Sequence, residues 1–356
     1  MAKLAFTGDI MLSRKIGTKL ETSNYHENTI LSASVLEALS KADFVIGNLE
    51  CPITLNGEKQ TETSFKAHPN VVNILDSFDY LSLANNHIFD SGKLGAKETI
   101  DILRKSGKSF SGIIENKESP IYSLNRIGEK QFALISCAVD DCIKNETDEA
   151  PHILKATDRR IKGIISKLKE VKELFIIILI HGGNEMISYP EPSFRNLCRS
   201  FIDIGADVIV SNHPHVLGGE EKYKNGVIFY SLGDFIFDGQ SFKRRKSGIL
   251  FLKFENELEW ELVPTQIGKD LKTSLSSDEE AKRILKGWNV RTKIYRKRLY
   301  EKKYRQFYIR SFIFFQLDRI LFLLKHKGLK ATFKFLQSKF FLLSFYFRKI
   351  SKREIY

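Results

Sequence analysis

Short apolar runs recur through the first two-thirds of the chain, several of them β-branched, and each breaks off at a polar motif. They are Leu4-Ala5-Phe6, Phe44-Val45-Ile46, Tyr80 to Leu83, Phe175 to Ile180, and Val208-Ile209-Val210. Runs of this length and type predict buried strands. Between them Ile30 to Leu39, Gly95 to Lys105 and Ile161 to Lys172 read as helices. The repeated β–α alternation predicts an α/β protein whose sheet is covered by helices on both faces. A chain of 356 residues is long enough to bury a full core, as one large or two smaller domains.

In open α/β sheets ligands bind beyond the carboxyl ends of the strands. Five polar motifs stand there: Gly8-Asp9, Gly47-Asn48-Leu49-Glu50, Asn85-Asn86-His87 with Asp90, His181, and His213-Pro214-His215. Asp9 is placed as a hard oxygen donor, although an isolated Gly-Asp is common and says little alone. Asn48 and Glu50 lie two apart, on one side of the chain if it stays extended; a turn with a solvated glutamate is the plainer reading. Three consecutive polar side chains at Asn85, Asn86 and His87 are more than one structural turn requires. His181 ends a very apolar strand, either as a satisfied core group or as a ligand, and Gly182-Gly183 allows a sharp turn beside it. In His213-Pro214-His215 proline favours extension, which would aim both imidazoles at one metal site or split them between two neighbouring metals. Four of the eight histidines fall in these loops; His26, His68, His152 and His326 read as ordinary surface or turn residues.

Composition narrows the class. With 42% hydrophobic and 28% charged residues the chain reads as soluble and globular. Cys51, Cys137, Cys142 and Cys198 lack zinc or Cys-x-x-Cys spacing and read as free buried thiols. No apolar leader precedes the first strand, so no secretory signal is expected. No run reaches the roughly 18–20 apolar residues of a membrane span. The expected location is the cytoplasm, with peripheral attachment to the inner face of the membrane as the alternative that the tail allows.

The net charge of +13 belongs to the end of the chain. Residues 290–356 hold 19 Lys and Arg against Glu301, Asp318 and Glu354, a balance of +16, while the remainder comes to −3. The same stretch carries eleven phenylalanines and reads as two helices broken near His326-Lys327-Gly328. The expected division is a domain over 1–267, a linker over 268–289 in which Ser277 caps a helix with an acidic first turn, and a basic helical tail over 290–356. The tail has three readings: helices packed on their own domain, a hairpin docked on an anionic membrane or a membrane synthase, or a nucleic-acid arm. Nucleic acid is the weakest, since no binding motif accompanies the charge.

The motifs in order resemble the calcineurin-like metallophosphoesterases, and their wording resembles the CapA family of bacterial capsule and poly-γ-glutamate synthesis proteins. The matching segments are Phe6 to Met11, Gly47 to Pro52, Phe65 to Pro69, Leu83 to His87 with Asp90 and Gly92, His213 to Val216, and Tyr230 to Phe237. The resemblance implies a four-layer α/β/β/α sandwich, with a C-terminal helical basic extension beyond it. It implies one or two divalent metals, with manganese, zinc and iron as candidates, held by Asp9, Asn48, Glu50, Asn86, His181, His213 and His215. It implies His87 as the catalytic histidine, with Asp90 and Glu185 in the catalytic set and Glu185 orienting His181. Two departures stand out: Met11 replaces an expected histidine, and Asn48 replaces the usual bridging aspartate. A neutral amide cannot offset the repulsion of two cations, which implies one firmly held metal. The expected function is hydrolysis or transfer at an amide or phosphoester of an anionic surface polymer, by metal-bound water with His87 as acid. The rivals are a non-catalytic, polymer-binding assembly factor and a plain two-metal phosphoesterase.

Overall fold

The computed structural model describes residues 2–143, 150–254, 258–297 and 300–351. Glu354 and the side chains of Phe340, Phe341, Phe345 and Phe347 lie outside the described residues. In chain order the first strands are β1 (Ala2–Ile10), β2 (Phe44–Leu49), β3 (Tyr80–Ser82) and β4 (Ser109–Ser111). Next come β5 (Ile113–Ile114), β6 (Ser123–Ile127), β7 (Lys130–Ala138), β8 (His152–Ile153), β9 (Leu174–His181) and β10 (Val208–Asn212). The last are β11 (Glu220–Tyr223), β12 (Gly226–Tyr230), β13 (Asp234–Ile236), β14 (Lys246–Phe254), β15 (Leu258–Ile267) and β16 (Thr273–Leu275). The helices are α1 (Arg14–Thr22), α2 (Ala33–Leu39), α3 (Gly92–Lys105), α4 (Arg159–Lys169), α5 (Pro192–Ile204), α6 (Asp278–Tyr295) and α7 (Tyr300–Ser351).

Every apolar run read as a strand is one, but the strands divide between two sheets. One has the order β16-β15-β14-β1-β2-β3-β4, with β13 also on β1; the other has the order β11-β12-β10-β9-β7-β6. Their facing sides share a core that includes Phe6, Ile46, Phe132, Leu134, Ile177 and Leu179. A second cluster covers the first sheet, drawing Ile16, Val35 and Ile100 from α1, α2 and α3. A third covers the other sheet with Ile165 and Phe201 from α4 and α5. The result is the four-layer α/β/β/α sandwich. The alternation alone pointed to a single doubly covered sheet because β9, apolar on both faces, reads the same whether a helix or another sheet lies opposite.

Caps fix several helix starts. Ser32 accepts from the Val35 amide at 3.3 Å and Asp158 from the Arg160 amide at 2.9 Å. Ser277 does precede α6 but makes no side-chain cap bond; Asp278, Glu279 and Glu280 supply the favourable first-turn charge. The four cysteines are buried and outside any disulfide.

The 268–289 segment, polar enough to be expected as a linker, holds edge strand β16 and most of α6, with Ile284 and Trp288 buried in the inter-sheet core. Its polarity belongs to a turn, a three-residue strand and a helix start. Further on, Tyr295 and Tyr300 join the core beneath α5. There Arg195 Nη2 donates to Glu221 Oε1 at 2.6 Å and to the Tyr295 carbonyl at 2.6 Å, while the Tyr230 hydroxyl donates to Glu221 Oε2 at 2.8 Å. Losing one member of such a buried pair strands the other's charge, at a cost of about 3–5 kcal/mol. The start of the tail is therefore structural. Helix α7 kinks at Gly328 (φ 78°), where the break was expected. Among the described residues no helix is long and apolar enough to cross a membrane.

Candidate metal centre

Strand register assembles the site. In parallel pairings Asp9 stands opposite Asn48 on one side and Asp234 on the other, and in the second sheet Asn212 stands opposite His181. The Asp9 amide donates to the Gly233 carbonyl at 3.0 Å, and a Cβ on Gly8 would lie 1.8 Å from that oxygen. Glycine at position 8 is what lets β1 and the segment leading into β13 meet. His213 (φ 104°) and His215 (φ 58°) both adopt left-handed backbone, so the loop is not the extended segment its proline suggested. Its imidazoles diverge, with ring centroids 6.0 Å apart.

The donors fall into two adjoining groups. In the first, His215 Nδ1 donates to Asp234 Oδ1 at 2.9 Å and lies 3.2 Å from Asp9 Oδ2, and His215 Nε2 is 3.6 Å from Glu50 Oε1. In the second, His181 Nε2 lies 2.8 Å from Asn86 Oδ1 and 3.0 Å from His213 Nδ1. Asn48 sits between them, donating to Asp9 Oδ1 at 2.8 Å, with its Nδ2 3.4 Å from His181 Nδ1. One donor atom from each member of Asp9, His215 and Asp234 lies within 4.8 Å of the others, and the same holds for Asp9, Glu50 and His181 and for Glu50, His213 and His215.

Electrostatics distinguish the groups. Burial opposes ionisation of Asp9, but contact with His215 and its charge outweigh burial and draw the carboxyl below its usual range. Burial, and then the charge of Asp9, push Glu50 well above that range. Burial also opposes a charge on His215, yet Glu50 and Asp234 hold its pKa well above the ordinary value. His181 is driven well below its ordinary value by burial and then by His213; His213 falls to about 4, by burial and then by His215. The second group is thus neutral, as imidazole ligands must be. The first contains three carboxylates, Asp9, Glu50 and Asp234, beside His215 and the guanidinium of Arg244, whose Nε donates to Asp234 Oδ2 at 2.8 Å.

A divalent cation fits this donor set. Asp9 Oδ2 and both carboxylate oxygens of Glu50 are buried without a hydrogen bond, an arrangement that is expensive unless a charge neutralises it. Carboxylate oxygens mixed with imidazole nitrogens suit zinc, manganese or iron. Met11, at the position where the resemblance expects a histidine, is buried in the core with its sulfur 3.2 Å from the Ser13 amide.

His87 stands beside the donors. Its Nδ1 pairs with Asp90 Oδ2 at 2.8 Å, its ring stacks on Phe65 at 4.1 Å, and its Nε2 points inward, 3.9 Å from Glu50 Oε1. Asp90 is held in turn by the Phe65 amide at 2.6 Å. Glu185, expected to orient His181, is exposed and its charge acts on His213. Asp234 is not among the ligands expected from the sequence, although Gly233-Asp234 repeats the Gly8-Asp9 pattern that placed Asp9. Arg244 carried no such signal, since Lys243-Arg244-Arg245-Lys246 reads as a solvated basic run.

The chain is similar to several known proteins in sequence and in structure. The chain is 31% identical over 261 residues to the capsule biosynthesis protein CapA of Bacillus anthracis, covering 69% of this chain and 62% of that protein's length. It is 30% identical over 277 residues to the PGA biosynthesis protein CapA of Bacillus subtilis, covering 74% and 71%. Similar solved structures include a phosphatase from Mycoplasma pneumoniae, at 11% identity and TM-score 0.48 over 80% of this chain and 96% of that one. The NAD nucleotidase of Haemophilus influenzae matches at 16% identity and TM-score 0.45, over 81% and 56%. Residues 3–239 match the family described as bacterial capsule synthesis protein PGA_cap, and the chain belongs to that family.

Proposed function

We propose that this protein acts in the synthesis or processing of an anionic cell-surface polymer of the capsule or poly-γ-glutamate type, by metal-dependent hydrolysis or transfer at a polymer bond. The observation that carries the chemistry is the set of unpartnered oxygens on Asp9 and Glu50, converging with His215, Asp234 and His181 beside an oriented His87. The family and the two CapA relatives support the polymer. Asp9, Glu50, Asp234, His181 and His215 would hold a divalent ion, which when bound supplies Lewis acidity and an activated water. Asp90 keeps the His87 proton on Nδ1 and so fixes which nitrogen faces the site, leaving Nε2 to exchange a proton with substrate. The neutral Asn86, His181 and His213 offer no charge to a second cation. Elemental analysis after extensive dialysis should therefore find one tightly held equivalent, with a second only in excess metal. Two tight equivalents would support a plain two-metal phosphoesterase, and none an assembly factor without catalysis.

A second reading concerns α7. Its inner side packs on the domain through Phe315, Phe322 and Leu323, while Phe314, Leu321, Leu329 and Phe333 are 60–80% exposed among Arg310, Lys325, Lys327 and Lys330. We propose that this side rests on an anionic membrane surface, where each Lys or Arg contributes about 1 kcal/mol and insertion of a large apolar side chain adds about 1.5–3 kcal/mol. The full chain should sediment with anionic and not neutral vesicles at moderate salt, and replacing Phe314, Leu321 and Leu329 by serine should abolish it. Substitution is the right test because removing the tail near Lys286 would also strip Trp288, Tyr295 and Tyr300 from the core. Unchanged sedimentation of the triple variant would rule the reading out.

A further inference from the structure

Beside the metal centre opens a cavity of about 390 Å³, lined by Arg14, Lys15, Asp238, Arg244, Phe315 and Arg319 among others. Its size suits a small ligand or one unit of a polymer. Four of these lining side chains are cationic and only Asp238 is acidic; that carboxylate is already paired with Arg14. Arg244 reaches the cavity from the segment before β14 and Arg319 from α7. Arg244 is anchored by Asp234 at 2.8 Å and lies over the Phe237 ring at 4.6 Å, yet its Nη2 has no hydrogen-bond partner. A Cβ on Gly239 would lie 3.1 Å from Asp234 Oδ2 and 2.9 Å from the Arg244 Cβ, so glycine there makes room for this anchored arginine.

Arg319 comes from α7. Its Nε is buried without a partner, and its guanidinium lies over Phe335 at 4.5 Å. Burial, and then the like charge of Arg244, depress its pKa. Helix α7 is locked against the segment that carries Arg244: the Lys243 amide donates to Asp318 Oδ2 at 2.9 Å, Phe242 packs on Phe322 at 5.5 Å, and Arg245 lies over Phe322 at 4.8 Å. Packing thus brings two guanidinium groups to one cavity whose one lining carboxylate, Asp238, is paired with Arg14. Repulsion of this kind is relieved by an oxyanion, and the planar fork of arginine matches carboxylate and phosphate oxygens.

We propose that Arg244 and Arg319 form an oxyanion clamp that holds a charged group of the substrate beside the metal centre, so that α7 completes the substrate cleft. Both arginines lie beyond residues 3–239, the part of the chain that matches the family. The clamp rests on the functional reading above only in its purpose; its binding chemistry does not require the metal.

The test uses the full chain stripped of divalent metal, titrated calorimetrically at low ionic strength with glutarate and, separately, with inorganic phosphate. Saturable binding of at least one probe is expected, and the tighter of the two identifies carboxylate or phosphate as the preferred group. Arg319→Gln should weaken it about tenfold or more, as loss of a charge-assisted pair does. Lys303→Gln, which removes an exposed charge from the same helix, should change it less than about twofold, since a screened surface charge contributes little. Arg319→Lys, which keeps the charge and loses the fork, should fall between and serves if the glutamine variant fails to fold. No saturable binding by the unaltered chain, unchanged binding by the Arg319 variants, or equal weakening by Lys303→Gln would overturn the clamp. Metal content of Arg319→Gln, measured in parallel, should equal that of the unaltered chain. A chain that binds the probe but no metal would leave the clamp standing and remove the metal-dependent reading.

Discussion

His215→Ala should lose most of its bound divalent metal while remaining folded, and His181→Ala should do the same. His215 lies within reach of three carboxylates, at 2.9 Å from Asp234, 3.2 Å from Asp9 and 3.6 Å from Glu50. Removing it takes away the Nε2 donor and also the Nδ1–H that Asp234 accepts from beside Asp9. Outer partners of a metal site already cost about 10–100-fold in affinity, so loss of a direct ligand costs at least that. Both histidines sit where strands give way to loops, above the sheet cores, and the fold does not depend on them. Asp234→Asn should weaken binding comparably, because it removes a carboxylate while keeping the shape. The measurement is metal content by elemental analysis on protein whose melting transition is intact. Full occupancy in both histidine variants would place the metal elsewhere.

The histidine loops and the strands beneath them were legible because both depend on local signals: an apolar run followed at once by groups that a buried backbone rarely tolerates unsatisfied. What was not legible is what depends on long-range register. Asp234 becomes a neighbour of Asp9 only because β13 pairs with β1 in parallel, and nothing in the residues around position 234 announces that pairing. Asn48 shows the same limit from the other side. Its place next to Asp9 followed from the motif order, whereas the commitment of its amide to Asp9 and its position between the two donor groups appear only in three dimensions. The end of the chain misled for a different reason. Basic residues and phenylalanines dominate its composition, yet one side of each helix supplies core: Trp288, Tyr295 and Tyr300 are at most 4% exposed. Composition averages over the faces of a helix, and packing does not.

His87→Asn should lower turnover by about 10²–10⁴-fold with metal content unchanged. The geometry separates His87 from the ligands. Its Nδ1 is committed to Asp90 at 2.8 Å, its Nε2 is 3.9 Å from Glu50, and it belongs to none of the three donor groups. Stacking on Phe65, beneath the Arg14 guanidinium 4.8 Å from the same ring, fixes the orientation of the imidazole. Asparagine preserves the polarity and much of the volume but has no proton to exchange near neutral pH. A phosphodiester chromogen provides the assay if the bond is a phosphoester, and release of amines from an acidic γ-linked oligopeptide if it is an amide. Asp90→Asn gives the sharper discrimination, since it leaves His87 in place while removing the carboxylate that holds its tautomer. It should cost less than His87→Asn, because the imidazole remains and only the bond that holds its tautomer is lost. Loss of metal in His87→Asn would move His87 among the ligands, and unchanged turnover would leave it a structural histidine.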